Sequence, residues 1–136
     1  MTLEAALMTQ LLTTTTTLYG LVGNRIHINK LPQSVTYPAI RIQRISTPRY
    51  FAFGTDPKLS SPRLQFDVFA ETYGVAKNAS EALRAELQNF AGTLGSTSGN
   101  HVNNVAVTIP DQSENYEDDT GLERVRIDFR IYHDEP

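Results

Sequence analysis

Residues 63–92 read RLQFDVFAETYGVAKNASEALRAELQNFAG, and the spacing of the hydrophobic residues changes within this stretch. Every second residue from Leu64 to Ala70 is apolar, which is the period of a strand with one buried face. From Thr72, a typical N-cap residue, an apolar stripe continues at helical spacing to Phe90, and a glycine follows as a stop signal. A half-buried strand followed by an amphipathic helix indicates a sheet with helices packed on it.

Further segments of periodic hydrophobicity surround this unit. The pattern predicts a helix at Leu3–Gln10 and strands at Arg25–Ile28, Ala39–Ser46, Val105–Ile109 and Val125–Ile131. Short connections between the strands favour antiparallel pairing. We therefore expect an α+β fold, a single antiparallel sheet of about five strands with two helices packed on one face, in the order α-β-β-β-α-β-β.

Three connections interrupt the predicted elements. Residues 47–62 contain three prolines and form a loop that is long for a compact domain. Residues 93–100 are rich in Gly, Ser and Thr and predict a flexible linker, and residues 111–121 predict an acidic loop. The whole chain, residues 1–136, is expected to form a single domain.

Composition excludes several classes of protein. The chain has 136 residues, of which 40% are hydrophobic and 20% charged, so it is neither disordered nor fibrous. A net charge of −3 offers no overall positive field for holding nucleic acid by its phosphates. The first seventeen residues include a glutamate and five consecutive threonines, which is unlike a signal peptide or a membrane span. We expect a protein that stays where it is made and has no membrane partner.

No catalytic constellation is expected. The chain has no cysteine, and His27, His101 and His133 lie in separate segments without the spacing of metal ligands. The glycine pair at Gly95 and Gly99 resembles a nucleophile elbow, but Thr97 occupies its central position. We therefore predict that the protein is not an enzyme and has no catalytic, cofactor-binding or metal site.

The unusual feature of the long loop is Arg49-Tyr50-Phe51-Ala52-Phe53. Arginine and aromatic side chains supply much of the binding energy of protein interfaces, so Arg49, Tyr50, Phe51 and Phe53 are a candidate interface. The alternative is that one of the phenylalanines packs back over the edge of the sheet.

The order of landmarks resembles the small tail-completion proteins of long-tailed bacteriophages, also called tail terminators or tail-to-head joining proteins. The resemblance covers nearly the whole chain. Its carrying segments are Leu18–Ile26, Leu31–Gln33 with Tyr37–Ile40, Leu64–Ala70 with Thr72 and Tyr73, and Asp119–His133.

This resemblance implies a structural virion protein with an α+β fold and no catalytic residues. It implies a ring of identical subunits, a hexamer, that caps the tail tube and joins it to the head. The partners would be other copies of the chain, the tail tube protein and a head-completion or connector protein, with genome DNA only passing through the channel. The protein would be in the host cytoplasm during assembly and then at the head–tail interface of the virion. Two alternatives remain open: another neck or tail component, such as a head-closure protein or tube subunit, and a small-ligand-binding α+β domain.

Within such a ring the acidic residues of the predicted loop at residues 111–121 have a candidate role. Without these five acids the net charge would change from −3 to +2, so negative charge is concentrated at Asp111, Glu114, Glu117, Asp118 and Asp119. Facing the channel they would repel the DNA backbone, and facing outward they would steer a basic partner surface. The third interpretation is a solvated loop without a specific role.

Overall fold

Three helices and seven strands make up the computed structural model, which describes residues 3–12, 17–33, 35–49, 59–88, 90–95 and 101–134. In chain order they are α1 (Leu3–Leu11), α2 (Thr17–Val22), β1 (Ile26–Ile28), β2 (Ala39–Ser46), β3 (Leu59–Ser60), β4 (Arg63–Ala70), α3 (Tyr73–Leu87), β5 (Ala91–Gly95), β6 (His101–Glu117) and β7 (Leu122–Asp134). No helix in these ranges is long and apolar enough to cross a membrane.

The strands form one sheet in the order β1-β2-β4-β7-β6-β5, with β3 paired to the end of β7. Alternate residues of the central strands β4 and β7 point to the helices, and Phe66 and Phe129 meet there edge to face with ring centroids 4.9 Å apart. Buried residues of all three helices belong to the same hydrophobic cluster. The helices therefore cover one face of the sheet, and no helix of the described ranges lies on the other face.

The structure confirms the predicted α+β class and its central unit. Strand β2 has the predicted bounds, and strand β4 leads directly to α3. The Thr72 hydroxyl accepts a hydrogen bond from the backbone N–H of Val75 at 3.4 Å, as expected of an N-cap. These elements were predictable because their burial pattern repeats over eight residues or more.

The sheet differs from the prediction in strand number and in pairing. It has seven strands instead of about five, and β1 runs parallel to β2, with Ile26 opposite Ile40 and Ile28 opposite Ile42. The prediction of a purely antiparallel sheet was therefore wrong. Strand β1 is only three residues long, so the chain has to travel only a short distance back before it can start a parallel strand. The connection from Ile28 to Ala39 is long enough to do this without a crossover helix.

Two short elements lie inside predicted connections. Helix α2 follows the threonine run and is held by Leu18 and Val22, both fully buried, although its six residues include a glycine. Strand β3 lies within the predicted loop at residues 47–62, where Leu59 and Ser60 pair with the last residues of β7. Tertiary contacts stabilise both elements, and local sequence gives little sign of either.

The predictions of a flexible linker at 93–100 and an acidic loop at 111–121 need correction. Strand β5 extends to Gly95 and buries Leu94, while residues 96–100 lie outside the described residues. Strand β6 continues to Glu117, so the acidic stretch is mostly strand. Pro110 does not end the strand because it lies in a register shift between Thr108 and Asp111, where a missing backbone N–H is tolerated.

Candidate protein interface

The hairpin of β6 and β7 carries all five acidic residues that the sequence singled out. The two strands pair in register from Asp111 opposite Asp128 to Glu117 opposite Leu122, and residues 118–121 form the turn. The N–H of Gly121 closes this turn by donating to the carbonyl oxygen of Glu117 at 2.9 Å. The acids are therefore spread along a hydrogen-bonded ladder, with Asp111 eight residues before Asp119.

The first turns of α3 hold the hairpin from one side. The Lys77 ammonium donates to the Glu114 carboxylate at 2.7 Å, and the Tyr73 hydroxyl is hydrogen-bonded to the same carboxylate. The bond from Lys77, followed by the bond from Tyr73, lowers the pKa of Glu114, and Glu114 in turn raises the pKa of both partners. These groups are close to solvent, so the contacts orient the hairpin more than they stabilise it.

Beyond this anchor the hairpin ends in what we call the acidic tip, comprising Glu117, Asp118, Asp119 and Glu123. Asp118 and Asp119 are exposed. Glu117 lies 3.8 Å from a guanidinium nitrogen of Arg124 and accepts a hydrogen bond from Thr120. Negative charge at the tip therefore exceeds the positive charge beside it.

Exposed apolar side chains flank the acidic tip. Tyr73, Val75 and Tyr116 are 50%, 41% and 54% exposed, and we call them the tyrosine patch. Tyr73 and Val75 are in the first turn of α3, and Tyr116 is one residue from the end of β6. Exposed tyrosine beside charge is typical of protein interfaces, where the ring is buried and the hydroxyl keeps a polar partner.

Two surface cavities are lined by α3 or by the residues just before it. The smaller, of about 230 Å³, has Tyr37 and Glu71 as its ionisable lining residues and adjoins Val75 of the tyrosine patch. The larger, of about 480 Å³, lies between α2 and α3 and has Glu81 and Glu86 in its lining. Neither lining combines a nucleophile with a histidine, so the cavities add no support for the ligand-binding alternative.

The face of the sheet away from the helices is rich in arginine. Its centre is Asp67, which has no solvent exposure and accepts hydrogen bonds from Arg41 at 2.6 Å, from Arg124 at 3.0 Å and from Gln65 at 3.1 Å. The guanidinium groups of Arg41 and Arg124 also lie over the ring of Phe69, 5.5 and 5.7 Å from its centroid. The side chains in the middle of this face are therefore paired with one another.

Further along the same face the arginines are less completely paired. Arg63 donates to Asp128 at 2.7 Å. Within the described ranges, the Nε of Arg130 and the Oδ1 of Asp128 are buried without a hydrogen-bond partner. Arg126 lies opposite Asp67 in the register, yet both oxygens of Asp67 are already bound by other groups. We call the five arginines of this surface the arginine face; they are Arg41, Arg63, Arg124, Arg126 and Arg130.

The arginine face was not identified as a site from the sequence. The available signal was the alternation of Arg124, Arg126 and Arg130 with apolar residues, which correctly indicated that they point away from the core. Sequence alone does not show that Asp67 and Arg41 on neighbouring strands join them, because that depends on strand order and register.

The remaining predicted site residues are dispersed. Arg49 is exposed and forms an isolated β-bridge with Ser60, whereas Tyr50, Phe51 and Phe53 lie outside the described residues. His133 is buried, its Nε2 lying 3.2 Å from the Ser60 hydroxyl and its Nδ1 2.7 Å from the Asp134 carbonyl oxygen. His27 is half-buried on β1, far in the sheet order from β7. In the part of the chain that the structure describes, no three potential metal ligands come together.

Comparison with known proteins supports one family. The family model described as tail completion protein gp17 matches residues 6–134. No curated protein matches the chain. A chain in a solved structure described as the virion of a native gene transfer agent (GTA) particle has the same fold, with a TM-score of 0.66 and 18% sequence identity over 97% of this chain and 94% of that chain.

The two comparisons carry different weight. At 18% identity the solved structure shows a common fold alone. The family model covers almost the whole chain, from the first helix to the end of β7. The matched residues include the hairpin, the tyrosine patch and the arginine face. The chain therefore belongs to the tail completion protein gp17 family.

Proposed function

We propose that this chain is the ring-forming subunit that completes a phage tail, capping the tail tube and joining it to the head. The observation that carries the proposal is the match of the tail completion family model to residues 6–134. Family membership gives a structural role in the phage tail, and the fold shared with a chain of a virion particle is consistent with it. The finer elements of the proposal are a hexameric ring, a position at the head–tail interface and contacts to a tube protein and a head-completion protein. The chain acts in this ring as one domain.

Features of the fold support association with other subunits. Among the described residues, β1 and β5 are the outer strands of the sheet, and both are short, with three and five residues. Short edges limit indiscriminate pairing, so a defined interface has to use side-chain surfaces as well as backbone groups. A closed ring of identical subunits satisfies such surfaces on every copy.

Electron microscopy of particles made without this protein tests the proposal. The expected result is mature heads beside separate, unjoined or over-long tails, with restoration of complete particles when the protein is supplied. Normal joined particles without the protein would overturn the proposed role. Quantitative mass analysis of complete virions provides a second measurement, and one copy or dozens of copies per virion would contradict the ring.

We also propose that Tyr50, Phe51 and Phe53 contact a partner protein. Replacing all three by serine should leave the purified protein folded but unable to join heads to tails, because aromatic anchors supply much of the energy of an interface. Thermal denaturation is the control. A loss of several kcal/mol, as expected on removing core aromatics, would show that these residues stabilise the fold instead.

A further inference from the structure

The chain carries two surfaces of opposite charge. The acidic tip has four carboxylates, of which only Glu117 has a basic group within 4 Å among the described residues. The arginine face combines five arginines with three aspartates, Asp67, Asp111 and Asp128, which leaves an excess of two positive charges. Opposite charges on different surfaces of one chain allow one copy to attract another.

Within one subunit the two surfaces meet only where Glu117 lies 3.8 Å from Arg124, among the described residues. The hairpin is paired to its last residues, and its turn contains only residues 118–121. The tip therefore cannot fold back along its own strand towards Arg130, which lies seven residues beyond Glu123, or roughly 23 Å of extended strand. Asp118 and Asp119 cannot neutralise Arg126 and Arg130 of the same chain.

The arginine face also has unmet bonding capacity. Among the described residues, Arg126 has no ion pair, and the Nε of Arg130 lacks an acceptor. A guanidinium group can bind a carboxylate through two parallel hydrogen bonds, so an incoming aspartate fits the unpaired and partly exposed Arg126 better than a lysine-rich or apolar partner would.

We propose that the acidic tip of one copy docks on the arginine face of a second copy. The inference rests on the proposed ring and specifies the contact that builds it. Each subunit binds one neighbour through its arginine face and the next neighbour through its acidic tip. This is the head-to-tail contact that a closed ring larger than a dimer requires. The tyrosine patch lies beside the tip, where its rings cover the charged contact and exclude water from it.

Cysteine crosslinking in assembled particles tests this contact, and the chain has no native cysteine to interfere. Asp119→Cys places a thiol on the acidic tip, and Ser113→Cys places one beside Arg126, its partner across the β6–β7 ladder. A chain with both changes should give a ladder of multimers with a short bis-maleimide linker. A mixture of the two single variants should stop at dimers, because each chain then offers one thiol.

Matched controls make the result decisive. Ala85→Cys is exposed on α3, on the helix side of the sheet, and combined with Asp119→Cys it should give no ladder. Equal crosslinking of this control would show random collision and overturn the contact. Crosslinking of Asp119→Cys to itself would indicate a tip-to-tip contact and would also overturn it.

The same samples separate this inference from the proposed function. Protein located at the head–tail junction without a ladder would contradict the contact while leaving the tail role intact. A ladder in an assembly that does not join heads to tails would support the contact and contradict the role. If Arg126→Gln weakened retention of DNA in particles and left crosslinking unchanged, the arginine face would serve nucleic acid, and the proposed contact would be wrong.

Discussion

Asp67 shows how a single residue organises the surface of this protein. It is a fully buried carboxylate, and two arginines and a glutamine from three different strands donate to it. The arginines keep part of their surface in water, with 27% and 21% of their side chains exposed. The cluster therefore holds β2, β4 and β7 together on the face that no helix covers.

Asp67→Ala should lower the free energy of unfolding by about 3–5 kcal/mol, because two guanidinium groups lose their shared acceptor. For a chain of this size the midpoint of thermal unfolding should fall by roughly 10–17 °C. Glu114→Gln is the matched control, since it removes a carboxylate from an exposed pair and should leave stability nearly unchanged. Equal stability of the two variants would show that the Asp67 cluster contributes little to the fold.

Glu4 provides a pH-dependent contact between α1 and β2. Burial disfavours its charged form, but hydrogen bonding from Arg44, at 2.6 Å, and its other favourable contacts outweigh burial, so the pKa of Glu4 lies below its ordinary 4.5. A lowered pKa in the folded state means that the contact stabilises the protein above pH 4.5 and is lost as the pH falls through the folded pKa.

Glu4→Gln should therefore destabilise the protein by about 1 kcal/mol at neutral pH. The difference from the wild-type protein should shrink as the pH falls below 4.5, the ordinary value for this group. Urea denaturation at a series of pH values measures it. A difference that stays constant down to pH 3 would mean that the charge of Glu4 contributes nothing.

At the scale of elements, the helices and strands with a long repeating burial pattern could be predicted from the sequence, and the short elements α2 and β3 could not. Strand β4 and helix α3 were predictable because apolar residues repeat in one period over eight and fifteen residues. Helix α2 and strand β3 are six and two residues long, and contacts from distant parts of the chain decide their conformation. Strand β6 was missed beyond Pro110 because the bulge that accommodates the proline depends on its pairing with β7.

The turn of the β6–β7 hairpin offers a test at this scale. Gly121 has a φ of +70°, a conformation that favours glycine, although a Cβ there would meet only the Tyr116 hydroxyl at 3.7 Å. Gly121→Ala should cost about 1 kcal/mol through backbone strain alone.

Gly74 is the matched control for this change. It lies in α3, and a Cβ added to it would have nothing within 4 Å beyond its chain neighbours and the backbone of its own helix, so Gly74→Ala should stabilise the protein by about 0.5 kcal/mol. Chemical denaturation of both variants gives the comparison. If Gly121→Ala were as stable as Gly74→Ala, the hairpin turn would not need a left-handed residue.

At the scale of the whole molecule, family and site were predictable to different extents. The family could be identified from segments spread over the chain, and the match to residues 6–134 confirms it. The acidic residues could be recognised from the sequence, but not their arrangement on a paired hairpin beside Tyr73 and Tyr116. The arginine face was missed as a unit because it is assembled from three strands that are not adjacent in sequence.

The position of the acids on the hairpin leads to a test of the whole assembly. Changing Glu117, Asp118 and Asp119 to the corresponding amides removes three of the four negative charges of the acidic tip and leaves the size of the side chains nearly unchanged. If the tip docks on a basic surface, joining of heads to tails should become slower and lose its dependence on salt, because the attraction that salt screens has been removed. Asp111→Asn is the control, since it removes one negative charge from the arginine face and should leave joining unchanged or faster. Particles that assemble normally but eject DNA slowly would instead place the acids in the channel. Unchanged assembly and infectivity would identify the turn as solvated and without a role in docking.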